Sequence, residues 1–248
     1  MGHPFIYEEL LHDFKPPNDP HAKVWRFMSF AKYVSLLESQ SIFFARADTL
    51  ADNFEGSQTR RTRELREKFL GSLPKSSRKW IGGGEIAREL TYVSCWHLND
   101  HESQGMWKLY VDGVDGVAIQ SRFKALEDCL QTDSRNDVCV GCVNYADYES
   151  DQFCDDWMTP FTYKRYSFRH ESEVRAIIFP RNRPDSPPAR EDLQSGLPIK
   201  VDLSALVESV YASPYSSSWF YDLVCVVSQR YALQAPIRVS NLRSEPVY

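Results

Sequence analysis

The chain has 248 residues, of which 42% are hydrophobic, 13% aromatic and 25% charged. These are the proportions of a globular protein with a substantial core, so they exclude a largely disordered chain. The formal net charge of −5 argues against a protein that binds nucleic acid through its overall charge.

The sequence contains no apolar run of the roughly 20 residues that a membrane-spanning helix needs. Its acidic, His-containing start is unlike a signal peptide, and we therefore expect a cytoplasmic protein without a membrane partner. The six cysteines are too sparse for a disulfide scaffold. Cys139 and Cys142 have the spacing of a metal knuckle but lack a second pair, which favours two small residues on a strand.

The chain begins with an extension, residues 1–22, that ends in a proline-rich stretch. A short strand is predicted at 23–27, and Ser29 is placed to cap a helix. The helix has one apolar face at i, i+3, i+4 and i+7, formed by Phe30, Tyr33, Val34 and Leu37. A buried strand is predicted at 42–45, so the domain begins with a strand–helix–strand unit.

A basic, helical insertion follows at about 57–90. Nine Lys and Arg face four Glu between positions 60 and 90, a local balance of 9 − 4 = +5. This is typical of a solvated helical face, and it is also the pattern of a surface that attracts a phosphate backbone. Three consecutive glycines at 82–84 lack the Lys of a phosphate-binding loop and predict a hinge.

The rest of the chain alternates strands and helices irregularly. Strands are predicted at 92–96, 116–119, 138–145, 170–179, 199–203, 209–212 and 237–240. Helices are predicted around Met106, Trp107 and Tyr110, at 157–168 and at 216–231, with a mobile loop at 181–196. This order predicts one α+β domain over residues 23–248, with helices around a mixed central sheet.

Standard hydrolase, dinucleotide and zinc motifs are absent, so the candidate chemistry rests on polar residues within strands. Arg26 interrupts one apolar strand and Ser94 another. Glu171 and Glu173 are two residues apart, so both point to the same face. Such residues beside aromatic rings favour a pocket for a charged, flat ligand. The alternative is structural, with Glu173 pairing with Arg175 on a surface strand and Arg26 pairing with Glu55.

The order of the short motifs resembles the bacterial family labelled domain of unknown function 2971. The motifs that carry this resemblance lie at 24–27, 42–45, 52–55, 93–96, 106–110, 116–119 and 170–175. Where that family usually has Asn-Asp-Pro-Phe-Glu, this chain has Ala51-Asp52-Asn53-Phe54-Glu55. The resemblance implies an accessory role in bacterial antiviral defence or toxin systems.

The strand–helix–strand entry with Arg26 also resembles the ADP-ribosyltransferases. This resemblance implies a split sheet, NAD as substrate, no metal, and catalytic roles for Glu173, Glu171 and Ser94. Arg26 would hold the pyrophosphate and Glu173 would stabilise the charge that builds on the ribose. The implied ligand-binding set is Arg26, Phe27, Arg46, Asn53, Glu55, Trp107, Tyr110, His170 and Arg175.

Two other functions stay open. A metal-dependent enzyme acting on nucleic acid would use the basic 60–90 stretch, with Asp52, Glu55 and Glu173 holding Mg²⁺. A non-enzymatic module would bind a nucleotide or a partner through the same pocket. The sequence leaves the acceptor of ADP-ribose and the oligomeric state undetermined.

Overall fold

A computed structural model describes residues 13–72, 84–111, 113–131, 137–179 and 193–247. They form one α+β domain around a mixed central sheet of nine strands, with a separate two-stranded ribbon. The strands are β1 Lys23–Ser29, β2 Ser41–Arg46, β3 Tyr92–Leu98, β4 Gly116–Arg122, β5 Val138–Cys142, β6 Asn144–Ala146, β7 Tyr163–Arg165, β8 Glu173–Ile178, β9 Gly196–Lys200, β10 Ser209–Ala212 and β11 Ile237–Val239. The helices are α1 Phe30–Ser39, α2 Arg60–Ser72, α3 Gly84–Leu90, α4 Gln104–Tyr110, α5 Phe123–Gln131, α6 Leu203–Leu206 and α7 Ser218–Arg230.

The central sheet splits at β3. Strand β8 pairs along the whole of one edge of β3, from Tyr92 to His97. On the other edge, β1 pairs with the end of β3 through Val24 and Trp25, and β2 pairs with its start through Ala45 and Arg46. The strands β1 and β2 therefore diverge from a shared neighbour and leave a gap between them.

Helix α1 connects the two strands that border this gap. The Ser29 hydroxyl accepts a hydrogen bond from the backbone N–H of Lys32 and caps the helix start. Gln40 ends the helix in the left-handed region at φ 46° and turns the chain directly into β2. Tyr33, Leu36 and Leu37 are buried and attach the helix to the sheet.

The two faces of the sheet have different characters. One face packs on α1, α5 and α7 and forms the main hydrophobic core, which includes Val24, Phe44, Val174 and Ala176. Because side chains alternate along a strand, Trp25, Cys95, His97, Glu173 and Arg175 lie on the opposite face. That face carries three buried ionisable groups, His97, Glu173 and Arg175.

The predicted helix at 157–168 is wrong. This segment forms a 3₁₀ turn at Thr159–Thr162, strand β7, and a second 3₁₀ turn at Tyr166–Glu171. Strand β7 pairs in parallel with β6, Lys164 opposite Tyr145, so a pairing across the fold overrides the local pattern. The predicted strand at 138–145 breaks at Val143 into β5 and β6. Helix α5 was not predicted, although Phe123, Leu126 and Leu130 line one buried face.

Residues 13–22 of the predicted extension pack against the domain. Phe14 is buried, and the backbone N–H of Cys142 donates to the Lys15 carbonyl at 2.8 Å. The rest of that extension, the glycines at 82 and 83, and positions 181–192 of the predicted loop lie outside the described residues. No helix within the described ranges combines the length and apolar character that crossing a bilayer demands.

The described part of the basic insertion is largely paired with carboxylates. Arg60 lies 3.0 Å from Glu149, Arg63 lies 3.0 Å from Glu67, and Arg66 pairs with Asp155. Lys75, Arg78 and Lys79 lie outside the described residues. Nucleic-acid contact through this stretch stays a prediction.

Gly196 on β9 leaves the space that the Phe43 ring of β2 occupies. A Cβ at Gly196 would lie 2.1 Å from Phe43 Cζ and 2.6 Å from the Phe44 carbonyl oxygen. We expect Gly196→Ala to lower the free energy of unfolding by about 1–3 kcal/mol because the ring and the strand must shift. Urea denaturation measures this loss.

The matched control is Gly71→Ala on α2, where a Cβ meets nothing within 4 Å. It should raise stability by about 0.5–1 kcal/mol, since alanine favours a helix. Equal effects of the two substitutions would show that Phe43 does not pack on Gly196.

Candidate active site

A cleft of about 650 Å³ lies at the split in the sheet. Its size is within the range of about 300–1,000 Å³ that is usual for small-ligand sites. Strands β1, β2, β3, β7 and β8, helix α1 and the loop around Glu55 all contribute to its wall. Four cations and four carboxylates line it, namely Arg26, Lys32, Lys164, Arg175, Asp52, Glu55, Glu171 and Glu173.

Arg26 and Glu173 both line this cleft although they belong to opposite faces of the sheet. Trp25 is opposite His97, and His97 is opposite Glu173, so Trp25 shares a face with Glu173. Arg26, the next residue, must point to the other face. The two side chains share one cleft because the cleft passes through the gap between β1 and β2.

The Arg26 guanidinium lies at this gap. Its Nη2 donates to the Phe43 carbonyl oxygen of β2 at 2.8 Å, and its Cζ lies 5.8 Å from the centre of the Trp96 ring. Burial lowers the pKa of Arg26 to about 10, so the group is still charged at neutral pH. None of the carboxylates that the structure describes forms an ion pair with it. Arg26 is thus a cation with most of its N–H donors available to a ligand.

A chain of ion pairs also lines the cleft, and its strand residues Glu173 and Arg175 lie on the sheet face opposite to Arg26. Arg175 is fully buried, and its guanidinium binds both carboxylate oxygens of Glu55 and, through Nε, Glu173 at 2.7 Å. Lys164 Nζ then joins Glu173 at 3.0 Å to Glu171 at 2.6 Å. Three carboxylates and two cations alternate along this chain, so its net charge is 2 − 3 = −1.

The shared cations separate the pKa values of two carboxyl groups. Burial alone would raise the pKa of Glu173, but the charges of Arg175 and Lys164 outweigh it and lower the pKa to about 2. For Glu55, burial prevails over the attraction of Arg175, and the nearby Glu173 charge adds to it, so its pKa is raised. Of these two carboxyl groups, Glu173 is therefore the one that stays ionised to the lower pH.

Glu171 is held in place through both its side chain and its backbone. One of its carboxylate oxygens accepts from Lys164, and its backbone carbonyl accepts from His97 Nδ1 at 2.5 Å. The Asn99 amide donates to His97 Nε2 at 3.2 Å, which selects the Nδ1–H tautomer. Burial lowers the pKa of His97, so this imidazole is neutral at pH 7. Both oxygens of Glu173 bind cations, whereas the second carboxylate oxygen of Glu171 has no donor among the described residues and is left for a ligand.

Seven of the residues predicted from the sequence line the cleft. They are Arg26, Phe27, Glu55, Tyr110, Glu171, Glu173 and Arg175. The anticipated pair of Glu173 and Arg175 exists, but it is buried and not on a surface. The anticipated pair of Arg26 and Glu55 is wrong, because Glu55 binds Arg175.

Five predicted residues are not among those that line the cleft. Ser94 is buried on the Arg26 face and accepts from Trp96 Nε1 at 3.3 Å. Trp107 packs behind Phe27, with ring centres 4.9 Å apart, and donates to Glu102. Arg46 binds Asp48 and the Leu193 carbonyl. The remaining two, Asn53 and His170, are exposed.

Several lining residues were missed by the sequence analysis, above all Lys32, Phe43, His97 and Lys164. Lys164 lay in a segment predicted to be helical, so its role was hidden. His97 follows the strand predicted at 92–96, and extending that strand by one residue would have included it, while its position opposite Glu173 comes from the pairing with β8. Lys32 and Phe43 look like ordinary exposed positions, and no local signal identifies them.

The three carboxylates that would hold Mg²⁺ in the alternative function already pair with cations of the protein. Asp52 pairs with Arg165 at 2.8 Å, and Glu55 and Glu173 pair with Arg175. Among the residues that the structure describes, no three His, Cys, Asp or Glu side chains form a group that could hold a metal ion.

No protein-family model matches the chain, and no curated protein matches it in sequence. The resemblance to the domain of unknown function 2971 family therefore stays a prediction. Among solved structures, DarT of Thermus sp. 2.9 in complex with NAD⁺ aligns over 93% of this chain and 100% of that chain, with 8% identity and a TM-score of 0.39. DarT of the same organism in complex with ADP-ribosylated single-stranded DNA aligns over 91% and 95%, with 10% identity and a TM-score of 0.37. At these scores the likeness does not decide what this chain does.

Glu173 should contribute strongly to stability. Glu173→Gln leaves Arg175 and Lys164 without full compensation, and we expect it to lower the free energy of unfolding at pH 7 by about 3 kcal/mol. The folded-state pKa is depressed, so the contribution of Glu173 is present above about pH 4.5 and is lost as the pH falls through about 2. Urea denaturation of both proteins between pH 7 and pH 2 should show their difference shrinking below about pH 4.5.

Glu67→Gln on α2 is the control, since its partner Arg63 is 77% exposed. Its effect should stay within about 0.5 kcal/mol at every pH. A Glu173→Gln protein as stable as the Glu67→Gln protein at pH 7 would contradict the ion chain.

Proposed function

We propose that this protein cleaves NAD at the nicotinamide–ribose bond and transfers ADP-ribose to an acceptor or to water. One observation supports the proposal: Arg26, which forms no ion pair with a carboxylate of the described residues, and a fixed pair of carboxylates, Glu171 and Glu173, line one cleft. NAD has the matching arrangement, an anionic diphosphate at a distance from a cationic nicotinamide ring. Complementary charges at both ends would orient it in one direction.

The chemistry needs a carboxylate where positive charge develops. When the nicotinamide–ribose bond breaks, its electron pair stays with nicotinamide and neutralises the ring. Positive charge then builds on the ribose, as in glycoside cleavage. A preorganised carboxylate stabilises that charge without having to reorganise during the reaction.

Glu171 is our candidate for this contact. Its second carboxylate oxygen is not occupied by Lys164, and it can accept from a ribose hydroxyl or take the proton of the attacking acceptor or water. Glu173 holds Lys164, and Lys164 holds Glu171, so Glu173 acts by keeping Lys164 and Glu171 in place. In this scheme the Ser94 hydroxyl accepts a hydrogen bond from Trp96 and does not touch the ribose.

Aromatic residues provide a surface for the nicotinamide ring. Trp25, Phe27 and Tyr110 line the cleft, and Phe27 is fixed edge-on by Trp107. Burial raises the pKa of Tyr110, so its hydroxyl stays protonated and can donate to the carboxamide. A flat ring stacked between such side chains would be held against the carboxylates.

Glu171→Gln is the direct test of this function. We expect it to slow nicotinamide release from NAD about 100- to 1,000-fold, since an amide cannot stabilise the developing charge. The fold should survive, because Lys164 keeps its bond to Glu173. Release is measured by chromatography with purified protein, and melting temperature is recorded in parallel.

Glu149→Gln serves as the control, because Glu149 lies outside the cleft and pairs with Arg60. This variant should keep the wild-type rate. The proposal fails if the unmodified protein releases no nicotinamide, or if Glu171→Gln releases it as fast as the control. Growth arrest on expression of the unmodified protein, absent with Glu171→Gln, would extend the proposal to a toxin or defence role.

A further inference from the structure

His97 connects strand β3 to the segment that carries the two carboxylates of the cleft. It lines the cleft opposite Glu173 of β8, and its ring centre lies 6.3 Å from that of Phe27. Its Nδ1 donates to the backbone carbonyl of Glu171 at 2.5 Å. The next residue, Ser172, lies in the left-handed region at φ 40° and leads the chain into β8. The imidazole thus holds the turn from which the Glu171 side chain enters the cleft.

Asn99 determines which nitrogen of His97 carries the proton. The backbone N–H of His101 donates to Asn99 Oδ1 at 3.3 Å, which leaves the Nδ2 amide group to face His97 Nε2 at 3.2 Å. The Asn99 backbone is also fixed, because its carbonyl accepts from Trp25 Nε1 at 2.7 Å and its N–H donates to the Lys23 carbonyl at 3.2 Å. An amide group held in this way can only donate to Nε2, so the proton of a neutral His97 lies on Nδ1.

The uncharged state of His97 preserves the negative charge of the cleft. The chain of ion pairs has a net charge of −1, so an imidazolium bonded to it would give −1 + 1 = 0. Burial lowers the pKa of His97 and favours the uncharged form. Around the imidazole lie two carboxylates, a lysine bonded to both, a second histidine and two aromatic rings, namely Glu171, Glu173, Lys164, His170, Trp25 and Phe27. A charged imidazole would weaken the attraction of this place for a cation.

We propose that His97, with its tautomer set by Asn99, is a positioning residue that holds Glu171 without adding positive charge beside it. The inference rests on the proposed function for the reaction in which Glu171 takes part. A lysine or arginine could hold the same carbonyl, but its charge would oppose the cationic nicotinamide ring and the positive charge that develops on the ribose. His97 acts through Glu171 and touches no reacting atom.

Two substitutions separate the hold on Glu171 from the charge of the imidazole. His97→Ala removes the donor, and kcat for nicotinamide release should fall about 10- to 100-fold while KM for NAD changes less than about threefold. His97→Asn places an amide N–H near the position of Nδ1–H and should recover most of this loss at pH 7. Below about pH 6 the unmodified protein should lose activity as His97 becomes charged, and His97→Asn should lack this loss.

Nitrogen NMR of the six histidines tests the hold without NAD. The imidazole signals that disappear in His97→Ala belong to His97, and they should show a proton on Nδ1 and a titration below about pH 6.5, the ordinary value for histidine. Hydrogen exchange of the backbone at 171–174 should become faster in His97→Ala and stay slow in His97→Asn, because only the first variant lacks a donor for the Glu171 carbonyl.

His21→Ala is the control, since His21 is exposed and does not line the cleft. The positioning role is refuted if neutral His97 carries its proton on Nε2, or if His97→Ala releases nicotinamide as fast as His21→Ala. It is also refuted if His97→Asn is as slow as His97→Ala at pH 7. The expected NMR and exchange results without nicotinamide release from the unmodified protein would keep the hold on Glu171 and reject the NAD-cleaving function. Release that depends on Glu171 but ignores His97 would do the reverse.

Discussion

The fully buried guanidinium of Arg175 determines how the carboxylates of the cleft are arranged. A charge with no access to water is tolerated only where carboxylates and carbonyls surround it, and Glu55, Glu173 and the Phe161 carbonyl do so here. These partners come from three separate segments of the chain. Satisfying one cation therefore fixes the loop around Glu55, strand β8 and the turn before β7 relative to one another. Lys164 extends the same constraint to Glu171, so the carboxylates are positioned before any ligand arrives.

The divergence of β1 and β2 along β3 opens the cleft that this cluster of ion pairs lines. In a continuous sheet, strand alternation would keep Arg26 and Glu173 on separate surfaces. Along β3, β1 pairs only with the end and β2 only with the start. The sheet therefore has a gap between β1 and β2 through which side chains of both faces reach one cleft. Helix α1 closes the back of the opening. The resulting space has a wall from each face and a floor from a helix, and this is what allows one ligand to contact both charge types.

Local signals allowed much of the fold and part of the site to be predicted from sequence. The Ser29 cap and the apolar spacing of α1 depend on neighbouring residues, and Ser209–Ala212 was bounded correctly as a strand. The failures depend on distant contacts. Strand β7 exists because it pairs with β6, so Lys164 could not be identified while its segment was taken for a helix. Ser94 shows a second limit: its place on β3 was predicted, but it is buried beside Trp96, which shares its face of the sheet and lines the cleft.

The distribution of charge also indicates how binding and chemistry would be divided within the cleft. The carboxylates are locked by Lys164 and Arg175 and cannot move toward a substrate, so the substrate must be brought to them. Binding energy gained far from the reacting bond can do this, provided that it holds the remote part of the substrate in one orientation. Arg26 lines the same cleft, and no carboxylate of the described residues forms an ion pair with it, so a bound anion would compensate its charge. A cleft that combines paired acids with such a cation thus favours a ligand that is anionic at a distance from its reactive bond.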